Sequence, residues 1–288
     1  MGKKLELTAD KPESVIAFLS SSVAGLTRAK ADLLVKSGEV RVNGVRIKAN
    51  ATLSVGDKVR AFVPDEVQKN GLNANTVYED DNIVVFDKPK RMPYDMLPEA
   101  YGAPLLGVHR LDTNTTGLIV FAKTDKALAE LESAFRERRV KKAYEAVVCP
   151  APQSDGETVT AYTRLLHGQN LALVSAQPKS GYKTMITEYK VEERIGKAAL
   201  LRVFPHTGRT HQIRAHLCFI GCPIVGEHKY GVKNAQAIDG APDSQMLAAV
   251  ELCFTGLKNG LEYLNGKTFT ADNGFDLTFL RDAAARRN

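Results

Sequence analysis

The residues best suited to chemistry lie in two short polar stretches of the chain. In the first, Val108–Ala122, a polar loop of Thr, Asn and Gly joins His109–Asp112 to an apolar run that predicts a buried strand. Loops held by a rigid sheet often carry catalytic groups, and Asp112 at the start of this loop is a candidate catalytic carboxylate. The alternative is that Asp112 is a turn former, because Asp before Thr and Asn often hydrogen-bonds to its own backbone.

The second stretch, Pro205–Leu217, is rich in Arg and His. Thr210 is predicted to cap a helix that runs to Ile220, and Gly221 is predicted to end it. Arg214 would then lie beside the apolar stripe of that helix, where it would attract a carboxylate partner. The alternative is a surface arginine whose aliphatic stem lies along the helix.

Tyr144 is a third candidate, in a strand predicted from Lys141 to Val148. Alternation places Tyr144 on the same face as Ala146 and Val148. A tyrosine that faces inward from a strand is either a core residue with a satisfied hydroxyl or a platform on which a base stacks. The residues alone leave both possibilities open.

Strands and amphipathic helices would position these candidates. Further strands are predicted over Ile83–Phe86, Thr184–Tyr189 and Ala199–Phe204, and a helix over Lys126–Arg139. With 288 residues, of which 44% are apolar and 25% charged, the chain has the composition of a globular protein with one large or two ordinary domains. That composition excludes extensive disorder and collagen-like structure.

Several classes of site and location are not indicated. No apolar run approaches the ~20 residues that span a bilayer, and the N-terminus does not form a secretory signal, so the four cysteines are expected to be reduced thiols in a cytoplasmic protein. Cys218 and Cys222 have no second pair nearby, and the histidine spacing does not suit a metal on one helix. No phosphate loop, dinucleotide-binding motif or Gly-x-Ser-x-Gly motif occurs. We expect no metal and no cofactor.

The positive charge is concentrated at the N-terminus. Residues 1–62 carry eleven Lys and Arg against six Asp and Glu, whereas the remaining residues carry 28 against 27. A small basic module beside a near-neutral body indicates a docking element for a polyanion, and the alternative is a solvated basic face. Residues 64–76 are polar and predict a linker to a larger domain over residues 77–288.

The basic module has a helix–helix–hairpin pattern. A helix over Arg28–Lys36 ends at Gly38, and an Asn43-Gly44 pair between alternating apolar and basic residues predicts a hairpin. From Pro12 to Phe62 this pattern resembles the small RNA-binding domain of the S-four type, and we assign residues 1–63 to it. The side chains expected to meet RNA phosphates are Arg28, Lys30, Arg41 and Arg46.

The larger domain resembles the RluA family of RNA pseudouridine synthases. The motifs that carry the resemblance are Asp87-Lys88-Pro89, His109-Arg110-Leu111-Asp112, Lys142-Ala143-Tyr144 and Thr207-Gly208-Arg209-Thr210-His211-Gln212-Ile213-Arg214, followed by Pro223-Ile224-Val225-Gly226 and Tyr230-Gly231. They occur in the family order over nearly the whole chain. The resemblance implies an α+β fold with a bent, mixed, mainly antiparallel sheet and flanking helices, preceded by the small α/β RNA-binding domain.

The resemblance also implies the reaction, which is isomerisation of specific uridines in structured RNA to pseudouridine. Asp112 would be the essential carboxylate, Arg214 would pair with it, and Tyr144 would stack on the uracil and take part in proton transfer. Asp112 would either add to the sugar or base or assist loss of a proton from the sugar. The residues expected to bind substrate are Arg110, His109, Thr113, Arg209, His211 and Gln212.

The expected partner is RNA, and large-subunit ribosomal RNA is favoured over transfer RNA because the S-four-type domain is common on synthases that act there. The protein is expected to be a monomer. One alternative is a non-catalytic RNA-binding or ribosome-assembly protein that keeps the fold, although the complete set of Asp112, Tyr144 and Arg214 argues against it. Another is a hydrolase that uses Asp112 and a histidine, but no segment predicts an oxyanion hole.

Overall fold

The computed structural model describes residues 3–23, 26, 28–63, 75–101, 103–230, 238 and 240–285. Contacts divide the chain into a first unit of Met1–Ala74 with Asp95–Leu105, and a second unit of Asn75–Tyr94 with Leu106–Asn288. Most of the predicted linker, residues 64–74, lies outside the described residues, and so does Thr27. Residues 75 and 76 belong to a strand rather than to a linker.

The first unit combines short helices with a small antiparallel sheet. Its elements are β1 (Lys3–Thr8), β2 (Glu13–Ser14), α1 (Val15–Ser22), α2 (Arg28–Ser37), β3 (Val40–Val42), β4 (Val45–Ile47), β5 (Thr52–Leu53), β6 (Lys58–Val63) and α3 (Leu97–Tyr101). The sheet has the order β1-β6-β3-β4, and β2 pairs with β5. The apolar sides of α1, α2 and the sheet share one core, in which Val15, Leu19, Val35 and Ala61 are buried.

The predicted hairpin is confirmed. Asn43 and Gly44 form its two-residue turn with φ angles of 50° and 84°, the left-handed region that this type of turn requires at both positions. The resulting register places Arg41 opposite Arg46. Helix α2 ends as predicted, because Gly38 adopts a φ of 77° directly after it.

The second unit is dominated by strands. Its elements are β7 (Asn75–Glu79), β8 (Ile83–Lys88), β9 (Leu106–Gly107), β10 (Thr116–Ala122), α4 (Asp125–Arg136), β11 (Val140–Val148), β12 (Gly156–Leu166), β13 (Leu171–Ser175), β14 (Lys183–Ile195), β15 (Ala198–Pro205), α5 (Gln212–Phe219), β16 (Leu247–Phe254), β17 (Thr268–Thr270) and α6 (Thr278–Ala285), with 3-10 turns at His167–Gln169 and Glu262–Leu264. A further 3-10 turn, Tyr94–Met96, begins at the last residue of Asn75–Tyr94 and continues into the segment assigned to the first unit.

Eleven strands form one sheet with the order β13-β12-β14-β15-β11-β16-β10-β8-β7, while β9 and β17 pair with β10 and β16. Within the described strands, every pair of this sheet is antiparallel except β10 with β16. The predicted α+β class with a mixed, mainly antiparallel sheet is therefore confirmed. Residues 117–122 of β10 are all buried, as expected for a strand covered on both faces.

Helix α4 follows β10 and covers one part of the sheet. The Thr124 side chain accepts a hydrogen bond from the Ala127 backbone N at 3.2 Å and so caps the helix. Ala127, Leu131 and Ala134 form its buried stripe against β8 and β10. The helix ends at Arg136, three residues before the predicted Arg139, because strand β11 already begins at Val140.

Helix α5 does not begin as predicted. His211, not Thr210, occupies the N-cap position, with φ 53° and ψ 27°, and its side chain makes no capping hydrogen bond. Ile213 and Leu217 of this helix are buried in the core formed with β11 and β15. Along the described chain, no helix combines the length and the hydropathy needed to cross a membrane.

Candidate active site

Two hydrogen bonds and a glycine position the loop that carries Asp112. The Thr115 backbone N donates to the Asp112 carbonyl O at 3.0 Å, and Gln245 Nε2 donates to Thr115 Oγ1 at 2.7 Å. Gly117 follows with a φ of 97°, and a Cβ there would lie 2.1 Å from the Ala249 carbonyl O. Only glycine permits this approach of β10 to β16, so Gly117 determines where the loop meets the sheet.

Lys88 anchors the same loop through hydrogen bonds from its ammonium group. Its side chain is completely buried at the end of β8, and Nζ donates to the carbonyl oxygens of Pro89, Met92 and Thr113 at 2.9–3.0 Å. Burial lowers the pKa of the Lys88 ammonium to about 8, although the charges of Asp112 and Asp87 oppose the shift. The lysine thus ties the Asp112 loop to the segment that follows β8.

Arg214 connects two carboxylates. Its Nη1 donates to Asp112 Oδ2 at 2.7 Å, while Nε and Nη2 donate to the two oxygens of Glu227 at 2.6 and 2.9 Å. Glu227 is fully buried and also accepts a hydrogen bond from the Lys229 backbone N at 2.7 Å. Its contacts raise the pKa of the Arg214 guanidinium further above its usual range, against the effect of desolvation. The bidentate pair with Glu227 therefore fixes the direction from which Arg214 reaches Asp112.

His211 lies on the other side of the carboxylate. Its Nε2 is 3.8 Å from Asp112 Oδ1, and its Nδ1 is 2.7 Å from the Tyr230 hydroxyl. Only 5% of the His211 side chain is exposed, compared with 18% for Asp112. Burial lowers the pKa of the imidazole, opposed by the charge of Asp112. The two oxygens of Asp112 thus have different neighbours, a guanidinium at Oδ2 and an imidazole at Oδ1.

Tyr144 faces the same cavity from β11. The strand has a bulge between Ala143 and Tyr144, where its register against β16 shifts by one residue, and Tyr144 pairs with Ala249 directly after the shift. The hydroxyl has no hydrogen-bond partner among the described residues, and the side chain is half-buried. Burial and the negative charge of Asp112 raise the pKa of Tyr144, so the phenol keeps its proton at neutral pH.

These side chains line a cleft of about 1040 Å³. This volume is at the upper end for small-molecule pockets, which suits a segment of polymer. Of the described residues, eight Lys and Arg line the cleft against three Asp and Glu. The cationic set is Arg110, Arg136, Arg138, Lys141, Lys142, Lys190, Arg209 and Arg214. Lys142 is half-buried with no acidic partner in the described chain, and burial lowers its pKa. The cleft therefore favours an anionic ligand.

Arg110 and Arg209 also line the cleft. Arg110 is exposed, with its guanidinium 6.0 Å from the ring centroid of Tyr94. Arg209 donates from Nε to the Thr184 carbonyl O at 3.0 Å, which leaves its terminal nitrogens without a partner among the described residues. Both arginines present donors to the cleft.

His109, Gln212 and Thr113 are placed differently. His109 stacks on Phe135, and its Nε2 accepts a hydrogen bond from the backbone N of Val120 at 3.1 Å. Gln212 is buried, with its amide bonded to β14 and to the preceding loop. Thr113 is exposed, is not among the residues that line the cleft, and contributes its carbonyl O to Lys88. The polar atoms of these three residues mainly form hydrogen bonds with other protein groups.

The predicted docking residues lie on the first unit. The register aligns Arg60, Arg41 and Arg46 across β6, β3 and β4, so the three share one face. Arg41 and Arg46 are exposed and have no acidic partner among the described residues, whereas Arg60 pairs with Glu6 on β1. Arg28 is exposed at the start of α2, and the side chain of Lys30 lies outside the described residues.

Comparison with known proteins decides the family. The family described as RNA pseudouridylate synthase matches residues 82–218, and the S4 domain family matches residues 16–59. The ribosomal large subunit pseudouridine synthase C of Escherichia coli is 34% identical over 260 residues, which is 80% of this chain and 80% of that protein. The chain belongs to the RluA family of RNA pseudouridine synthases. It carries the RNA-binding domain that the sequence predicted in front of the catalytic domain.

Solved structures agree with this assignment. Human RNA pseudouridylate synthase domain containing 4 has a TM-score of 0.57 at 23% identity, over 74% of this chain and 94% of that one. Human RNA pseudouridylate synthase domain containing 1 has a TM-score of 0.56 at 25% identity, over 75% and 96%. The second unit therefore has the fold of an RluA-family synthase, and the chain is an RNA pseudouridine synthase.

Three residues of this RluA-family site were not predicted as site residues, Lys88, Glu227 and Tyr230, although Lys88 and Tyr230 lie in motifs that carry the resemblance. Lys88 and Glu227 are polar residues at the end of an apolar segment, and such residues are buried only when their polar atoms have partners. Glu227 directly follows the buried run Pro223–Gly226, and that is the signal that could have marked it. The partners themselves lie far away in sequence, so spacing does not identify them.

Proposed function

We propose that the enzyme converts specific uridines of large-subunit ribosomal RNA to pseudouridine, with Asp112 as the essential carboxylate. One observation carries the catalytic assignment. Asp112 is the only acidic residue of the described cleft lining that binds an arginine of the same lining, and its other oxygen has no hydrogen bond within the described residues. The RNA class rests on the relatives, which are named for the ribosomal large subunit. Such an enzyme would work in the cytoplasm.

The reaction is an intramolecular exchange of bonds. The bond from N1 of uracil to C1′ of ribose breaks, a bond from C5 to C1′ forms, C5 loses its proton, and N1 gains one. No electrons are gained or lost overall, so the residues of this chain need only position groups and move protons. The target base must leave its stack before the glycosidic bond is accessible.

Asp112 would act on the sugar or base through Oδ1. The Arg214 contact at Oδ2 places a positive charge against the carboxylate in a poorly hydrated site and fixes its rotation. Both the addition of Asp112 to the sugar or base and its removal of a sugar proton need a free carboxylate oxygen that faces the cleft. The arrangement serves either route.

Tyr144 would stack on the flipped uracil. Because its raised pKa keeps the hydroxyl protonated, Tyr144 enters the reaction as a hydrogen-bond donor. It would act as a base at C5 only after the substrate or Asp112 draws the phenol proton away. Because the Tyr144 hydroxyl has no hydrogen-bond partner among the described residues, it is available to the uracil.

The cleft and the first unit would share the binding of RNA. Arg110, Arg209 and Lys142 present cationic groups for the phosphates beside the target nucleotide. On the first unit, phosphates elsewhere on the RNA would be bound by Arg28, Lys30, Arg41 and Arg46. His109, Gln212 and Thr113 would act by holding the cleft in shape, because their polar atoms mainly serve other protein groups.

The test compares pseudouridines in total RNA from cells with and without the gene, mapped by carbodiimide adducts that stop reverse transcription. We expect the loss of one or a few sites in large-subunit ribosomal RNA, restored by the wild-type gene and not by Asp112→Asn. Glu193→Gln, which alters an exposed carboxylate of the same unit, is the matched control and should restore every site. Restoration by Asp112→Asn would refute the role of the carboxylate.

Purified protein distinguishes the remaining alternatives. A wild-type protein that binds the ribosomal RNA fragment but forms no pseudouridine would be a non-catalytic RNA-binding protein. The hydrolase alternative predicts release of uracil instead of its isomerisation. His109 does not support that alternative, because its Nε2 is occupied by a backbone N–H and burial lowers its pKa to about 3.

A further inference from the structure

A short chain of hydrogen bonds runs from strand β13 to His211, whose other ring nitrogen faces the free oxygen of Asp112. The Ala172 backbone N donates to the Tyr230 hydroxyl at 3.0 Å, and that hydroxyl lies 2.7 Å from Nδ1 of His211. The opposite ring nitrogen, Nε2, faces Asp112 Oδ1 at 3.8 Å. The direction of the chain decides whether the nitrogen that faces this oxygen carries a proton, so it matters for the chemistry.

The backbone sets the direction of this chain. The Ala172 N–H can only donate, so it uses a lone pair of the Tyr230 oxygen and leaves the hydroxyl proton for another acceptor. The nearest acceptor is Nδ1 of His211. A neutral imidazole carries one N–H, so if Nδ1 accepts a hydrogen bond, the proton must be on Nε2.

The surroundings favour a neutral ring. His211 is 5% exposed, and desolvation disfavours its charged form. Four charged groups act on the ring: Asp112 and Glu227 favour the imidazolium, whereas Arg214 and Lys229 oppose it. These contributions come in pairs of opposite sign, and burial is the largest single cause.

The backbone of His211 also departs from what the helix needs. A non-glycine residue with φ 53° is in a strained region, and the side chain does not cap α5. Strain of this kind persists where the surroundings over-determine the geometry. The bond to Tyr230 is such a constraint, and Tyr230 also lies edge-on to the imidazole with its centroid 5.8 Å away.

We propose that Tyr230 is a positioning residue that holds His211 as the neutral Nε2–H tautomer, so that a fixed hydrogen-bond donor faces Asp112 Oδ1 and the cleft. His211 then does not act as a base, because its cleft-facing nitrogen already carries a proton. It would orient the reactive oxygen of Asp112 before substrate binds and donate to an oxygen of the target nucleotide afterwards. The catalytic consequence rests on the proposed function, whereas the tautomer does not.

The tautomer is measured directly on the full-length protein. Histidine labelled with ¹⁵N gives long-range ¹H–¹⁵N correlations that distinguish the two neutral tautomers and the imidazolium. At pH 7.5 we expect the His211 pattern of a protonated Nε2 and an unprotonated Nδ1. A protonated Nδ1, or a ring protonated on both nitrogens, would overturn the proposal without any variant being made.

Tyr230→Phe then removes only the oxygen. We expect His211 to lose its single-tautomer pattern, and turnover at saturating RNA to fall about tenfold with little change in KM, the effect expected from one lost hydrogen bond. Tyr189→Phe is the matched control, because this buried tyrosine bonds through its hydroxyl to Ser154 and Glu157, away from the cleft. It should change neither the spectrum nor turnover.

The outcomes separate this proposal from the proposed function. If Tyr230→Phe keeps both the wild-type tautomer and wild-type turnover, the positioning role is wrong although the enzyme is active. If the wild-type protein shows the Nε2–H tautomer but modifies no RNA, the proposed function is wrong and the tautomer assignment stands.

Discussion

The two units of this chain use positive charge in opposite ways. In the second unit, Arg214 is 12% exposed and has two carboxylate partners at 2.6–2.9 Å. In the first unit, Arg41 and Arg46 are exposed, face each other across a hairpin and have no acidic partner among the described residues. The first arrangement fixes the direction of a group for chemistry. The second leaves charges free and repelling each other, so an RNA backbone lowers their free energy when it binds.

The largest effect is expected when the buried cation of the second unit, Arg214, is removed. In the group of Glu227, Arg214 and Asp112, one positive charge lies between two negative ones. Arg214→Met would leave two carboxylates facing each other in a poorly hydrated site, so we expect unfolding to become easier by about 3–5 kcal/mol and turnover to vanish. Denaturant titration and single-turnover assays measure the two effects.

Glu227→Gln sharpens the same test. It removes one negative charge but leaves Arg214 paired with Asp112, so no charge is left uncompensated. We expect a smaller loss of stability, about 1–3 kcal/mol from imperfectly satisfied N–H groups. A larger loss of stability in Glu227→Gln than in Arg214→Met would contradict the role of Arg214 as the cation that compensates both carboxylates.

Mild acid should weaken the second unit selectively. Burial lowers the pKa of His216 to about 4, and burial together with the charge of Lys142 lowers that of His109 to about 3. Unfolded histidine binds its proton near pH 6.5, so between about pH 6.5 and pH 4 the unfolded state holds more protons than the folded state. Stability is therefore full above pH 6.5 and falls as the pH drops, by about 2 kcal/mol for each histidine at pH 5.

Hydrogen–deuterium exchange of the whole protein, corrected for the intrinsic effect of pH, locates this loss. The six histidines all lie outside Met1–Ala74 and Asp95–Leu105, so the first unit should keep its protection between pH 6.5 and pH 5. His216→Gln should flatten the dependence in the second unit. Equal losses in both units would contradict the assignment to buried histidines.

The smallest expected effect concerns the first unit. Arg41→Gln with Arg46→Gln should weaken binding of the RNA about tenfold at moderate salt and reduce the slope of log affinity against log salt by about 1.5, while turnover at saturating RNA stays unchanged. Arg60→Gln is the matched control on the same face, and its effect should be smaller because Glu6 already neutralises Arg60. Filter binding over a range of salt concentrations measures the slope, and an unchanged slope in the double variant would contradict docking through this face.

Local signals in the sequence predicted local structure well. The Asn43-Gly44 turn and the end of α2 at Gly38 depend on backbone conformations that few other residues adopt, and both are present. The start of α5 was predicted wrongly, because Thr210 is the better capping residue but His211 takes the N-cap position. Strands β12 and β13 were not predicted, since their stability comes from pairing with each other and with β14, which lies further along the chain.

In the site, too, short motifs could be predicted from the sequence, whereas contacts between distant residues could not. Family motifs supplied Asp112, Tyr144 and Arg214 as candidates, and the structure brings all three to one cleft. Arg214 and Asp112 are 102 residues apart, and nothing in their spacing indicates a contact. The roles of Lys88, Glu227 and Tyr230 are recognisable only when their buried partners are known, because those roles depend on contacts that folding creates.

The three hydrogen bonds of Lys88 have one further consequence. All of them end on backbone carbonyl oxygens, at Pro89, Met92 and Thr113, and none depends on the side chain of the residue it reaches. Every amino acid has such a carbonyl. Side-chain replacements at these three positions that keep the path of the backbone therefore leave the attachment of the Asp112 loop to Lys88 intact.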